Sequence, residues 1–313
     1  MVIILVKVIL DNLLYFFILK KYLPIIFFLM NTVSIMWIKG SFHEEAAKQF
    51  FTGDDIDIVE NKTFEDLIES VVYDKSDFWV IAVENSVAGT IHKNLNLLRE
   101  SKVKIVGETF LRVKQNLAVC KGATINSLTQ VMSHHMALKQ TEGFFKRYPN
   151  IKLIEESNTA VAMKKVAEMK DPTVWAIGSV LAAEMNGLEI IGEWIETNKQ
   201  NYTRFCIIKP EFCDIPTSFN KATLSFVLYD EPGALAKIIS MMAFYDVNLT
   251  KLESVPIMGK PFEYRFYIDV TFDDLWKYEW MLTAIRPLLL SIDELWRYQE
   301  DQASWKKIHT QQE

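Results

Sequence analysis

From residue 33 to residue 208 short β-branched or apolar runs alternate with stretches patterned for helix, and that alternation leaves little room for any fold but stacked α/β layers. VSIMWI is followed by HEEAAKQFF, and FWVIAVE by a helix-like stretch from Val87 to Leu98. LAVC leads to TQVMSHHMALKQTEGFFKRY, then KLIEE, TAVAMKKVAEM, TVWAIG, VLAAEMNG and RFCII. Strands and helices of these lengths predict βαβ units in an open, largely parallel sheet. Their number, with no long linker between them, predicts two lobes across a cleft.

The pattern changes at residues 210–220, where two prolines and polar residues read as a linker. Beyond it, ATLSFVLYD, GALAKIISMMAFYD, NLTKLESVPIM, EYRFYIDVTF, DDLWKYEWMLTAI and ELWRYQ give β-α-β-β-α-β, a ferredoxin-like α+β unit over 221–300 with a polar tail over 301–313. The first 30 residues stand apart. They are far more apolar than the rest, yet Lys7, Asp11, Lys20, Lys21 and Pro24 break them into runs shorter than the ~18 uncharged residues of a spanning helix. Without a small-residue cleavage site they do not read as a signal peptide. Met30 opens the first α/β element, so a start there is favoured and residues 1–30 are set aside as an extension.

Composition removes several function classes. Half of the residues are hydrophobic and the net charge is −6, so the chain can bury a large core and offers no basic field for nucleic acid. Cys120, Cys206 and Cys213 are too irregularly spaced for a disulfide framework or zinc site and fit reduced thiols in a cytoplasm. No phosphate loop, HExxH, paired CxxC or GxSxG occurs.

What remains is polar residues at strand ends, where open α/β sheets bind ligands. Glu84, Asn85 and Ser86 end a strand before the stretch read as helix from Val87. They are either a helix cap or, with free backbone N–H groups, a carboxylate site. Ser133 ends another strand, with Gln140 two helical turns on. His134 and His135 diverge as neighbours and lack partners at metal-ligand spacing, so no metal is expected. Glu155 and Glu156 precede the helix start at Ser157, Asn158 and Thr159. Thr203 and Arg204 open the apolar run Phe205 to Ile208, the arginine suited either to a carboxylate or to an ordinary ion pair.

IKGSFHEEAA, ENSVAG, VGETFL, SHHMALKQ, ESNTAVAMKKVA, NGLEII and NYTRFCII stand in the order and spacing of prephenate dehydratases, and EPGALAKI with NLTKLESVPI resembles that family's C-terminal ACT domain. The resemblance implies a catalytic part over 31–209 with two lobes arranged like a periplasmic binding protein. It also implies conversion of prephenate to phenylpyruvate on the way to phenylalanine, with no cofactor. By motif, Thr203 and Glu156, with Glu155 as the competitor for the glutamate's place, would be catalytic, and Asn85, Ser86, Ser133, Gln140, Arg204 and Phe205 would bind substrate. Thr203 would donate to the departing hydroxyl, and Glu156 or water would supply the proton. Gly233, Ala234, Leu235, Glu253 and Ser254 would hold L-phenylalanine at a dimer interface, in a homodimer or homotetramer. The chain departs from the family at Trp37 (usually glycine), Ala82 (proline), His135 and Met136 (Pro-Gln) and Val255 (arginine), the last weakening the case for feedback inhibition. The competing readings are an arogenate dehydratase and a non-catalytic amino-acid sensor.

Overall fold

In the computed structural model, which describes residues 30–72, 76–213, 218–304 and 306, the alternation becomes three sheets. The extension up to residue 29, residues 214–217 of the linker and most of the tail lie outside the described residues. Among the described residues, no helix is long and apolar enough to cross a membrane.

The first lobe runs β1 (Asn31–Met36), α1 (Phe42–Phe50), β2 (Ile56–Asn61), α2 (Phe64–Val72), β3 (Phe78–Asn85), a two-residue β4 (Gly89–Thr90), α3 (His92–Glu100) and β5 (Val103–Arg112). The chain then crosses to the second lobe, β6 (Asn116–Val119), β7 (Gln130–His134), α4 (His135–Gln140), α5 (Glu142–Phe145), β8 (Lys152–Glu156), α6 (Thr159–Met169), β9 (Val174–Gly178), α7 (Val180–Met185) and β10 (Glu189–Gly192). It returns as β11 (Tyr202–Pro210), which lies antiparallel between β3 and β5. The first sheet is therefore mixed, β2-β1-β3-β11-β5, and the expectation of a largely parallel sheet holds only for β2, β1 and β3. The reason is topological: β5 runs out to the second lobe and β11 runs back beside it. The second sheet, β10-β6-β9-β7-β8, is mixed as well.

The two crossing segments, residues 113–115 and 193–201, bond to each other, Val113 N donating to Asn201 O at 2.8 Å and Ile195 N to Gln115 O at 2.8 Å. They form one two-stranded hinge.

The C-terminal unit is β12 (Lys221–Leu228), α8 (Ala234–Phe244), β13 (Asn248–Pro256), β14 (Tyr264–Thr271), α9 (Leu275–Ile285) and β15 (Leu289–Tyr298), in the antiparallel order β13-β14-β12-β15. Alternate residues of its strands pack on opposite faces. Leu224, Phe226, Ile268 and Val270 pack with Ile238, Met242, Tyr278 and Met281 of the helices. Trp296 and Tyr298 instead join the first lobe's core, with Trp79, Ile81, Cys206 and Ile208. On β11 the same alternation sends Phe205 and Ile207 to the core beneath α1.

Candidate active site at the interlobe hinge

Asn85 ends β3 directly opposite Thr203 of β11. A β-bulge between Arg204 and Phe205 sets that pairing: Phe205 pairs with Ala82, skipping Val83. No helix starts at Val87. The chain makes a turn, Asn85 Oδ1 accepting from Val87 N at 3.0 Å and Ala88 N at 2.8 Å, and α3 begins only at His92. The helix N-terminus expected to bind a carboxylate there does not exist, because the Asn85 side chain stabilises a turn in its place.

Those two bonds fix the Asn85 amide, so its Nδ2 faces the hinge. It donates to Thr203 Oγ1 at 2.9 Å, to Asn201 Oδ1 at 2.8 Å and to Tyr202 O at 3.2 Å. Asn201 Nδ2 in turn donates to Gln140 Oε1 at 3.0 Å, which also accepts from Gln115 Nε2 at 3.2 Å. A single chain of amides thus joins Thr203 and Asn85 of the first lobe to Gln140 of the second. The Asn85 and Asn201 donors in it are each oriented by what their own carbonyl oxygen accepts, and neither N–H of Gln140 Nε2 is used in it. Sequence reasoning passed over Asn201, Gln115 and Glu196, the last buried with its Oε2 accepting from Gln115 N at 2.9 Å. Asn201 carried a usable signal: it lies two residues before Thr203, so an extended chain puts both on one face.

Other expected residues are placed differently. Ser86 Oγ donates to Gln200 O at 2.7 Å and accepts from Tyr202 N at 2.9 Å, so it fastens the hinge. Ser133 is fully buried, its hydroxyl donating to Ile177 O at 2.7 Å; His134, not Ser133, caps α4. Phe205 is a core residue whose ring meets His43 edge-on at 5.0 Å. Burial pushes the His43 imidazole down to about 4 and keeps it neutral.

Glu156 lies on the edge strand of the second sheet, bonded to Lys165 and to Ser157 N at 2.8 Å. The Lys165 ammonium holds its carboxyl below the usual range, so it is ionised and holds no proton at neutral pH. Arg204 is 7% exposed and faces away from Thr203, its three kinds of nitrogen bonded to Glu108, Asp269 and Tyr298. It is the ion-pair alternative that holds, and the carboxylate-clamp role fails because every nitrogen of the fork is taken.

The lobes touch at the start of α1. Ser179 Oγ, capping α7, donates to Gly40 O at 2.7 Å. Gly40 has φ +88°, and a Cβ there would lie 3.0 Å from Ala182 Cα, so only glycine permits the approach. Ser41 Oγ, at the N-cap of α1, is buried and has no hydrogen-bond partner. Glu45 lies in the first turn near Ser179, and burial raises its carboxyl to about 7 against the pull of Ser179, Lys114 and Lys48. Trp37, at a place where the resemblance implies glycine, is held at φ +76°, a backbone conformation that suits glycine.

In the C-terminal unit Gly233, Ala234 and Leu235 line a cavity of about 630 Å³ together with Tyr264 and Phe266. Glu253 and Ser254 are elsewhere in the same chain, because β14 separates β13 from β12. Glu253 pairs with Arg99 at 3.0 Å and His92 at 2.9 Å, both on α3 of the first lobe. The five residues therefore do not form one site within a single chain.

A family profile for prephenate dehydratase matches residues 33–212. A prephenate dehydratase of Methanocaldococcus jannaschii is 36% identical over 237 residues, 74% of this chain and 85% of that protein. The bifunctional chorismate mutase/prephenate dehydratase of Escherichia coli K12 is 31% identical over 242 residues, 76% of this chain; the match spans only 62% of that longer protein. Among solved structures, GqqA, described as a quorum quenching acylase, is 28% identical with a TM-score of 0.74 over 86% of this chain and 98% of its own. The prephenate dehydratase of Arthrobacter aurescens in complex with L-Phe has a TM-score of 0.75 at 23% identity, covering 90% of this chain and 97% of that one.

Proposed function

The chain belongs to the prephenate dehydratase family, and from that premise we propose that it converts prephenate to phenylpyruvate with release of carbon dioxide and water, as a cytoplasmic enzyme. One observation carries the reading most directly: Thr203 Oγ1 accepts the Asn85 N–H, which leaves the threonine's own proton to be donated.

In the reaction the bond from the ring to its carboxylate breaks. The electron pair moves through the ring diene, and the C–O bond on the far side breaks. Negative charge grows on the departing oxygen, where a fixed donor stabilises the transition state more than the ground state. Thr203 fills that role. A threonine hydroxyl is about as weak an acid as water, so it supplies no net proton at neutral pH; the oxygen departs hydrogen-bonded to Thr203, and solvent supplies the proton that makes it water. With Arg204 turned away, the substrate's carboxylates fall to neutral donors: Gln140 Nε2, and Ser41 Oγ with the backbone N–H groups of Phe42 and His43 at the start of α1.

The test is purified protein given prephenate, with phenylpyruvate followed over time. Removing one donor aimed at developing charge costs a factor of roughly 10² to 10³, so Thr203→Val should lower kcat by that much. Near-normal turnover in a folded Thr203→Val enzyme removes the assignment. A parallel assay with arogenate, reading phenylalanine, separates the two dehydratases. Failure of both substrates alongside phenylalanine binding would favour the sensor. The acylase neighbour gains no support from the hydroxyls of Ser86 and Ser133, which donate to backbone carbonyls.

For regulation, the C-terminal unit is an ACT domain in this reading, and the cavity at Gly233, Ala234 and Leu235 takes L-phenylalanine. A second copy of the chain would supply Ser254 to it, in a homodimer or a dimer of dimers. Inhibition of turnover by added phenylalanine, with a change in sedimentation, tests that part.

A further inference from the structure

Thr203 and Arg204 are consecutive on β11, so their side chains leave its sheet on opposite faces. Behind Thr203, the Arg204 guanidinium makes three bonds in one plane: Nε to Glu108 Oε2 at 2.7 Å, Nη1 to Asp269 Oδ2 at 2.6 Å and Nη2 to Tyr298 Oη at 2.7 Å. Glu108 belongs to β5, beside β11; Asp269 and Tyr298 belong to β14 and β15 of the C-terminal unit. The second oxygen of Glu108 accepts from Lys221 Nζ at 2.7 Å, and that of Asp269 from Thr223 Oγ1 at 2.7 Å. All six residues are buried, and the two cations balance the two carboxylates. A buried network of this kind holds only when complete, because each missing partner strands a charge. The rigid guanidinium fork ties β11 to the C-terminal sheet at a fixed angle as well as a fixed distance.

The β-bulge lies between Arg204 and Phe205, where the ladder to β3 slips by one residue while the ladder to β5 runs on unbroken from Tyr202 to Ile207. The Asn85 side of the pair is backed in the same way. Lys251 Nζ of β13 reaches Glu84 Oε2 at 3.2 Å and Thr90 Oγ1 at 3.1 Å, on either side of the Asn85 turn.

We propose that Arg204 is a positioning residue, through which the C-terminal unit sets where the Thr203 hydroxyl stands against the substrate. The inference rests on the reading of Thr203 as the leaving-group donor.

The experiment uses the full chain with Asp269→Asn, Tyr298→Phe, Arg204→Lys or Arg204→Met. Prephenate kinetics are measured together with amide hydrogen exchange across residues 202–206. Tyr298→Phe, the mildest change, leaves two anchors and should fold. It and Asp269→Asn should lower kcat by about tenfold with KM within about twofold, the split expected of a misplaced transition-state donor. Exchange at Thr203 and Phe205 should quicken in both, and Arg204→Lys should recover part of the kcat lost in Arg204→Met. Wild-type kcat in folded Asp269→Asn and Tyr298→Phe enzymes overturns the proposal, and so does unchanged exchange at residues 202–206. The underlying reading fails separately, by a wild-type protein inert to prephenate or an active Thr203→Val enzyme, and the exchange result still decides whether Arg204 anchors the strand.

Discussion

The chemistry proposed for Thr203 depends on which way one amide points. Asn85 spends its carbonyl on Val87 and Ala88, so only its N–H groups can reach Thr203, Tyr202 and Asn201. Its motif named Asn85 in the sequence, as others named Thr203 and Gln140. The residues that connect them were less legible, because Asn201 and Gln115 sit in hinge segments with no periodicity to mark them. Arg204 was misassigned for a related reason: its neighbour's role says nothing about the opposite face of a strand, and the sequence does not show what docks there. Glu156 makes a sharper case. As a residue held ionised by Lys165, its carboxylate bonded among the described residues only to Lys165 and Ser157, it is expected to tolerate Glu156→Gln with kcat within about threefold, the size of effect left when no transition-state contact is lost. Steady-state kinetics decide it, and a hundredfold loss would return Glu156 to the catalytic set. Its depressed carboxyl pKa does contribute to folding: that stability is present above the ordinary glutamate range and is lost as pH falls through the lowered value.

Among the elements, α1 carries the clearest pH response. Glu45 in its first turn faces Ser179 across the interlobe contact, Lys114 of the hinge, and Glu44 and Lys48 within its own helix. Lys48 pairs with Glu44 at 2.7 Å. The folded pKa of Glu45, about 7, is raised above the ordinary 4.5, so the protonated form is favoured by the closed lobes. The sign follows from linkage: the stabilisation is full below the ordinary value and disappears as pH rises through about 7. Opening the lobes hydrates the group, so alkaline pH should favour the open form. Glu45→Gln, which cannot ionise, should be more stable than wild type at pH 8 and nearly equal to it at pH 5. Thermal melts at the two pH values check this, and a wild-type melting point that does not fall between them would contradict it. Element identities were otherwise well marked, since hydrophobic period separates helix from strand over most of the chain. The misread stretch was the one after Asn85, where polar residues at a strand end suit a turn as readily as a helix cap. The start of β15 was also hidden, five residues before ELWRYQ, because the 3-10 turn at Arg286–Leu288 leads into it without a break in apolar character.

Over the whole molecule, sequence punctuation and physical coupling disagree. The linker over 210–220 predicts a C-terminal unit that stands apart, and its β-α-β-β-α-β order was legible from period alone. Yet Trp296 and Tyr298 sit in the same core as Trp79, Ile81, Cys206 and Ile208, and Trp296 Nε1 donates to Val103 O at 3.1 Å. Arg204, Lys221, Glu108 and Asp269 add a buried ionic layer between the same two bodies, and Arg99 lies 3.4 Å over the Tyr267 ring beside its bond to Glu253. None of this is local in sequence, so no pattern along the chain could announce it. Among the described residues the second lobe has no comparable buried ionic tie: its strands reach the first lobe through the hinge, and the lobes meet at Ile38, which packs on the second lobe's core, and at the Gly40–Ser179 contact. Cooperativity follows shared burial more than chain order, so the first lobe and the C-terminal unit should unfold as one transition, with the second lobe free to melt separately. Asp269→Asn, by stranding the Arg204 charge, should lower the joint transition by roughly 3 to 5 kcal/mol, the cost of breaking a buried pair, and leave the second lobe's nearly unmoved. Calorimetry with hydrogen exchange assigned to each unit measures both. If the C-terminal strands lost protection well before β3 and β11, the shared core and ionic layer would not be coupling the two bodies, and the route from that sheet to Thr203 would lose its physical basis.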